Sequence, residues 1–397
     1  MMEKMKLGDA CEILNGFAFK SENYVEAGIR IIRIANVQKG FVEDNTPAFY
    51  PIDSTGLEKF MLDEGDLLIS LTGNVGRVAV LEKKFLPAAL NQRVACLRLK
   101  TDKLSKGFLF HILNSDFFEQ QCIQSSKGVA QKNMSTDWLK NYEIPLYPKA
   151  EQGKITEILD KVCNVISCRT QQLQKLDNLV KARFVEMFGD MYLNTMEWRE
   201  LHLETMADIV SGITKGRKIA GKQLTKVPYM AVSNVKDGYI DWTTVKTIEA
   251  TDQEINQYRL LSDDVLMTEG GDPDKLGRGA IIRTPLENCI HQNHIFRVRL
   301  DDSHILPDYF AEYLKHQRAK RYFLGCAKQT TGIASINMKQ LKALPVLLPP
   351  LELQNEFSAF IRQIDKSKVV ESIHRMDGLF NITLNGGNRY DSGANEF

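Results

Sequence analysis

No run of 18 apolar residues occurs in the chain, so no segment reads as a membrane-spanning helix. The opening Met1-Met2-Glu3-Lys4-Met5-Lys6 leads into Leu7-Gly8-Asp9 rather than an apolar signal core, and a soluble, unexported, cytoplasmic protein is the expectation. The seven cysteines, at 11, 96, 122, 163, 168, 289 and 326, are odd in number, scattered and without a Cys-x-x-Cys pair. They read as reduced thiols packed like small hydrophobes, not as a disulfide framework. Neither sign of charge prevails: Lys+Arg 51 stands against Asp+Glu 50, a formal net charge of +1. Nucleic-acid binders usually carry a basic patch or a high pI, so this balance argues against one, although a sum does not say where the charges sit. What is present in quantity is apolar content, 43% of 397 residues, enough for two or three cores and too much for a disordered or fibrous chain.

The chain repeats itself. Leu7, Glu12, Ile13 and Gly16 recur as Leu203, Asp208, Ile209 and Gly212, and Ile34-Ala35-Asn36-Val37 with Gly40 recurs as Val232-Ser233-Asn234-Val235 with Gly238. Gly65-Asp66-Leu67-Leu68-Ile69-Ser70 is echoed by Asp263-Asp264-Val265-Leu266-Met267-Thr268. Gly76-Arg77 answers to Gly277-Arg278, Asn91-Gln92-Arg93 to Gln292-Asn293-His294, and Gly128 with Asn133-Met134 to Gly332 with Asn337-Met338. A repeat of this period fixes the architecture before any single residue is interpreted. Short β-branched runs bounded by Gly or Asp, such as 28–34 and 66–71, predict strands, while 108–118 and 306–322 have helical spacing. Each copy is therefore an α+β domain, at 1–148 and 191–349.

Each copy ends in prolines followed by a helical pattern. After Ile144-Pro145-Leu146-Tyr147-Pro148, a helix and its end occupy 149–190. Ile155, Leu159, Val162, Ile166, Leu173, Leu176, Val180 and Met187 form a heptad seam, broken at Arg169 and Arg183, that predicts a coiled coil. After Leu344-Pro345 and Pro349-Pro350, Phe357, Ile361 and Ile364 begin the same design in a helix over 350–376. That pattern fades near Lys368, and 377–397 reads as a disordered Gly/Asn-rich tail. Two similar domains, each followed by a long helix, with the helices pairing as an antiparallel spacer about a pseudo-two-fold axis, would suit a ligand repetitive at fixed spacing, such as duplex DNA.

At this point the residues resemble the specificity subunit (HsdS) of type I restriction-modification systems, over 1 to about 366. The matching runs are Leu7-Gly8-Asp9-Ala10 with Asn15-Gly16, Gly65 to Ser70, Asn91-Gln92-Arg93, Ile144-Pro145-Leu146 before Glu151-Gln152, and Arg183 to Asp190. The resemblance implies two target-recognition domains, each reading half of a split duplex DNA site, with helices that set the gap. It also implies that the helices dock two methyltransferase subunits, to which restriction subunits add, and that S-adenosylmethionine, ATP and Mg belong to those partners, with no cofactor in this chain. The resemblance implies a second helix as long as the first, and the fading of the pattern near Lys368 departs from that expectation.

Base readout needs Arg or Lys for guanine and Asn or Gln for adenine, while phosphates need cations. The candidates at repeated polar positions are Arg77, Asn91, Gln92, Arg93, Lys127, Gln131 and Lys132 in the first copy. In the second they are Lys275, Arg278, Gln292, Asn293, His294 and Lys328, with Lys215, Arg217 and Lys218 beside Lys222 and Lys226 in a Gly-containing loop. Plainer readings stand beside these: Asn91 as a turn residue, the glycines as backbone requirements, Arg77 and Arg278 as ion-pair partners. Catalysis is the rival class. Gly65, Gly73 and Gly76 do not make Gly-x-Gly-x-x-Gly, no Walker run occurs, and Pro349-Pro350 is followed by Leu351-Glu352 rather than the aromatic of an amino-methyltransferase motif. His291 and His294 have the spacing of a metal pair, but Cys289 is not spaced like a zinc ligand, and no metal is expected. Asp272-Pro273-Asp274 reads as an acidic turn. The alternative to a DNA-addressing subunit is a two-headed binding module for a partner other than nucleic acid.

Overall fold

Leu67–Ser70 and Val265–Thr268 are inner strands of two matching four-stranded sheets, and all eight of their residues are buried. In this computed structural model the described residues are 3–126, 128, 132–217, 223–271, 276–330 and 333–372. Two compact units divide at Cys168/Arg169.

In the first unit the sheet runs Cys11–Asn15, Val94–Leu99, Leu67–Ser70, Val78–Val80, all antiparallel. A second sheet places Ile29–Ile32 parallel to Ala88–Leu90, flanked by Phe49–Tyr50 and Met61–Leu62. In the second unit the order is Ala207–Ser211, Ile295–Leu300, Val265–Thr268, Gly279–Ile281, and Thr225–Met230 runs parallel to Ile290–His291. A two-stranded ribbon closes each unit, Lys4–Lys6 with Glu143–Pro145 and Arg199–His202 with Pro345–Leu348. The chain is thus two similar α+β domains. The apolar runs of the repeated motifs became the inner strands because a strand buried on both faces needs continuous, not alternating, hydrophobicity.

The helical spacing over 108–118 resolves into two helices, Lys106–Leu113 and Asp116–Ser125, not one. Ser115 intervenes, its hydroxyl accepting from Phe118 N at 3.2 Å as an N-cap. The same break divides 306–322 into Pro307–Lys315 and Gln317–Cys326, with His316 extended between them. Phe108 and Phe118 fill the first core, Tyr309, Phe310 and Phe323 the second.

The long helix spans Lys149–Phe188, 40 residues, which is about 60 Å at 1.5 Å per residue. Every seam residue predicted on it is buried or half-buried, whereas Arg169 is exposed. Within the first unit Ile155 packs against the domain core and Leu159 is buried. Within the second unit Leu176, Val180 and Met187 join Phe357, Ile361 and Ile364 of the second helix, Leu351–Ser372. The contacts there run antiparallel. Phe184 meets Phe357 with centroids 5.4 Å apart, while eleven residues further along the second helix Lys368 reaches back to Asp177 at 2.6 Å. The heptad reading omitted Phe184 and Phe188, both of which the core takes up. A straight helix drifts against a 3.5-residue repeat, so by its last turns the buried face takes in the position after the seam as well. The tail at 377–397 lies outside the described residues.

All seven cysteines are free, and burial pushes the thiols of Cys11, Cys122 and Cys289 up to about 12, so they are unreactive small hydrophobes. Among the described residues no helix is long and apolar enough to cross a membrane.

Candidate nucleic-acid interface

Several repeated residues serve the scaffold. Buried Asn36 accepts from Arg33 N and donates to Glu43 O, both at 2.9 Å, and buried Asn234 accepts from Ala231 N and donates to Asp241 O at the same distances. Asp66 takes two bonds from Arg98, at 3.0 and 2.7 Å, and Asp264 takes two from Arg299, at 2.7 and 2.8 Å. These bidentate pairs join strand ends to the loops that precede the inner strands. Gly16 and Gly212 lie so close to the neighbouring strand that a Cβ would fall 2.2 Å from Asn91 O and 1.9 Å from His291 O. Their lack of a side chain serves that close approach.

The candidate residues nevertheless collect at one end of each sheet through backbone bonds. In the first copy Ser70 N donates to Arg77 O at 3.0 Å, Leu71 N to Arg93 O at 2.9 Å, and Gly73 N to Lys132 O at 2.9 Å. Three sequence-distant cationic segments therefore surround the end of strand Leu67–Ser70. In the second copy Thr268 N donates to Arg278 O at 3.3 Å, Glu269 N to His294 O at 3.0 Å, and Ile336 N to Glu269 O at 2.9 Å. Gly270–Gly271 pairs with Ile333–Ser335, which pairs with Lys328–Thr330, so Lys328 joins the same end.

Their individual states differ. Gln92, Arg93 and Lys132 are exposed, as are Lys215 and Lys328. Asn91 accepts from Arg93 N at 3.2 Å, so it fixes the turn and presents Arg93. Arg77 is half-buried and donates to Gln38 at 2.6 Å. Gln292 accepts from Val232 N at 3.4 Å, and Asn293 lies 3.5 Å from the His294 ring. His294 pairs with Glu269 at 2.5 Å, and His291 is buried between the carbonyls of Tyr258 and Val210, at 3.1 and 3.3 Å. The two histidines face different surroundings, and among the described residues no group of three or more His, Cys, Asp or Glu is placed to hold a metal ion.

Arg217 is redirected by the structure. Its guanidinium clamps Glu254, with Nη2 2.8 Å from Oε2, and also donates to Glu249 O at 2.9 Å; the pair holds the Glu254 carboxyl down to about 2. It braces the loop against helix Asp252–Tyr258 instead of pointing at a ligand. Lys127, Gln131, Lys218, Lys222 and Lys275, with Asp272 to Asp274, lie outside the described residues. Sequence reasoning passes over Lys315 and Lys320, which with Arg278, Asp237 and Gly277 line a cleft of about 260 Å³ in the second unit. Only the register between the two copies separates them from an ordinary solvated helix face.

The profile described as Type I restriction modification DNA specificity domain matches residues 1–178 and again 196–374. The chain belongs to this type I restriction-modification DNA specificity family. The specificity subunit of the type I restriction enzyme EcoKI from Escherichia coli (strain K12) is 23% identical over 373 residues, 89% of this chain and 79% of that one. The EcoAI specificity subunit of Escherichia coli is 32% identical over 193 residues, covering 45% of this chain and 33% of its own. The crystal structure of a type I system S subunit from M. genitalium shares the fold, with a TM-score of 0.52, 15% identity and 94% of each chain covered. In these family terms the two matched segments are tandem specificity domains.

Proposed function

We propose that this chain is the DNA specificity subunit of a type I restriction-modification complex, and that each domain reads one half of a bipartite duplex site. The observation that carries the reading is the recurrence, in both copies of the specificity domain, of cationic and amide side chains, exposed or half-buried, around the end of the same inner strand. Such a cluster offers donors both to phosphates and to base edges. The subunit supplies address and is itself non-catalytic. The helices Lys149–Phe188 and Leu351–Ser372 set the distance between half-sites and dock two methyltransferase subunits that modify adenine; restriction subunits add cleavage of unmodified DNA. The family carries no cofactor in the specificity chain, and S-adenosylmethionine, ATP and Mg are assigned to the partner subunits.

Mapping methylated adenines in a genome where the chain is expressed with its partners tests the reading. A two-part motif with a fixed gap is the expected result. Exchanging residues 1–148 for another recognition domain changes one half of that motif and leaves the other. A continuous motif, or no methylation, overturns it.

A further inference from the structure

The two copies share a packing register that exposes a reversal of charge. Gly76 presses on Cys122, where a Cβ would fall 2.7 Å from the Cys122 Cβ, and Gly277 presses on Phe323 in the same way at 2.2 Å. The two pairs match at 277 − 76 = 201 and 323 − 122 = 201. A second glycine contact agrees: Gly40 would meet Asn114 and Gly238 would meet Lys315, both at 3.4 Å, and 315 − 114 is again 201. On this register Lys320 stands where Glu119 stands in the first copy, and Gln317 where Asp116 stands. In the facing turn, Asp237 replaces Lys39 and Lys236 replaces Gln38.

In the first copy the place is closed internally. Lys39 bonds Asp116 and lies 3.1 Å from Glu119, and Arg77 donates to Gln38 at 2.6 Å, so two cations meet two acids and an amide. In the second copy the equivalent place is the cleft of about 260 Å³ whose charged lining, among the described residues, is Arg278, Lys315 and Lys320 against Asp237. Lys315 leans on Glu312 at 2.7 Å, and Lys236 is answered by Asp241 at 3.9 Å, which leaves Lys320 exposed and without an ion pair among the described residues. Arg278 Nε is shielded from solvent and has no hydrogen-bond partner among the described residues. A guanidinium and two ammonium groups around one lining carboxylate leave the cleft positive and suited to an anion. Arg278 also belongs to the loop whose Glu269 backbone bonds His294 and Ile336, so the cleft adjoins the polar end of the sheet.

We propose that this cleft of the second domain seats one phosphodiester of the duplex backbone, a contact that the first domain has exchanged for internal ion pairs. This rests on the DNA-specificity reading above. The second domain then holds its half-site by one more backbone contact than the first, sequence-independent, and extends the DNA footprint onto helices Pro307–Lys315 and Gln317–Cys326.

The test is the salt dependence of duplex binding by the full chain assembled with its modification subunits, for wild type, Lys320→Gln, and Lys315→Gln/Lys320→Gln. Loss of one phosphate contact lowers the slope of log affinity against log salt by about 1, with the methylated motif unchanged, and Lys320→Arg restores the slope. Glu119→Gln in the first domain leaves the slope at the wild-type value. A wild-type slope in the double variant overturns the proposal. So does a cleft that loses inorganic phosphate in the double variant, read by calorimetry, while the duplex slope stays put, because a free anion is then its occupant. Failure of the specificity reading itself is separate: there the wild-type complex shows no bipartite motif.

Discussion

Gln152 Oε1 accepts a hydrogen bond from the backbone N–H of Ser105 at 2.8 Å, and in the second copy Gln354 Oε1 accepts from Leu306 N at 2.9 Å. The other end of each amide is equally occupied. Gln152 Nε2 donates to Lys103 O and Tyr147 O, at 2.8 and 2.7 Å, and Gln354 Nε2 to His304 O and Pro349 O, at 3.2 and 2.8 Å. Both glutamines are fully buried. One amide thus ties the first turn of each helix to the loop before the domain's helix pair and to the proline turn behind it. Gln152→Ala leaves one backbone donor and two acceptors unpaired, and is expected to destabilise the first unit by about 2 kcal/mol or more. Urea denaturation of the variant checks it, and a loss below about 0.5 kcal/mol would show that water replaces the amide.

The Asp264–Arg299 pair gives a second prediction. The Asp264 side chain is 1% exposed and that of Arg299 35%, with Leu261 N donating to the same carboxylate at 2.7 Å. Removing one partner of a buried pair leaves the other uncompensated, so Asp264→Ala should cost about 3 kcal/mol or more, whereas Glu82→Ala, in a pair whose side chains are 50% and 63% exposed, should cost much less. Comparing the melting temperatures of the two variants decides between a scaffold role and a ligand role for the repeated Asp.

The architecture was legible because a repeat at one period constrains many positions at once, and because continuous apolar runs such as Leu67–Ser70 suit only strands buried on both faces. The seam was legible for the same reason through Met187, while helical drift added Phe184 and Phe188 to the buried face beside it. What the local sequence did not distinguish was the purpose of polar residues. Asn36, Asp66 and Gln152 look as ready for DNA as Arg93 does, yet all three are turned inward: Asn36 by backbone groups of its own turn, Asp66 by the Arg98 guanidinium, and Gln152 by backbone groups distant in sequence. Arg217 was drawn to Glu254, 37 positions away, a pairing that no local pattern announces. Lys320 needed the register between copies before its charge meant anything.

His291 predicts a pH dependence confined to the second unit, since the matching position of the first copy is Leu90. Burial, the main cause, pushes its pKa down to about 4 from the ordinary 6.5. The folded form therefore binds fewer protons than the unfolded chain between those values, and stability rises with pH across the interval. It is fully present above about 6.5 and is lost as pH falls towards 4, by an amount on the order of 3 kcal/mol. Denaturation of the second unit at pH 7 and pH 4.5 should show the loss, and His291→Gln should flatten it. An equal slope in the variant would assign the acid sensitivity elsewhere.

Arg93 and Arg217 test the sorting of cations into readers and braces. Arg93 is exposed, its backbone is fixed by the Asn91 turn and by Leu71 N, and among the described residues its guanidinium has no ion-pair partner to keep it from a guanine edge. Arg93→Ala is expected to leave folding unchanged and to relax discrimination at one position of one half-site by about 1 to 3 kcal/mol. Arg217→Ala removes the clamp on Glu254, so it is expected to lower stability by about 2 kcal/mol and to weaken binding without altering the methylated motif. Motif mapping alongside thermal melts separates the two. If Arg217→Ala changed a base preference at wild-type stability, or Arg93→Ala lowered affinity equally for every sequence, the assignment of that residue would be reversed: Arg217 a reader, Arg93 a backbone contact.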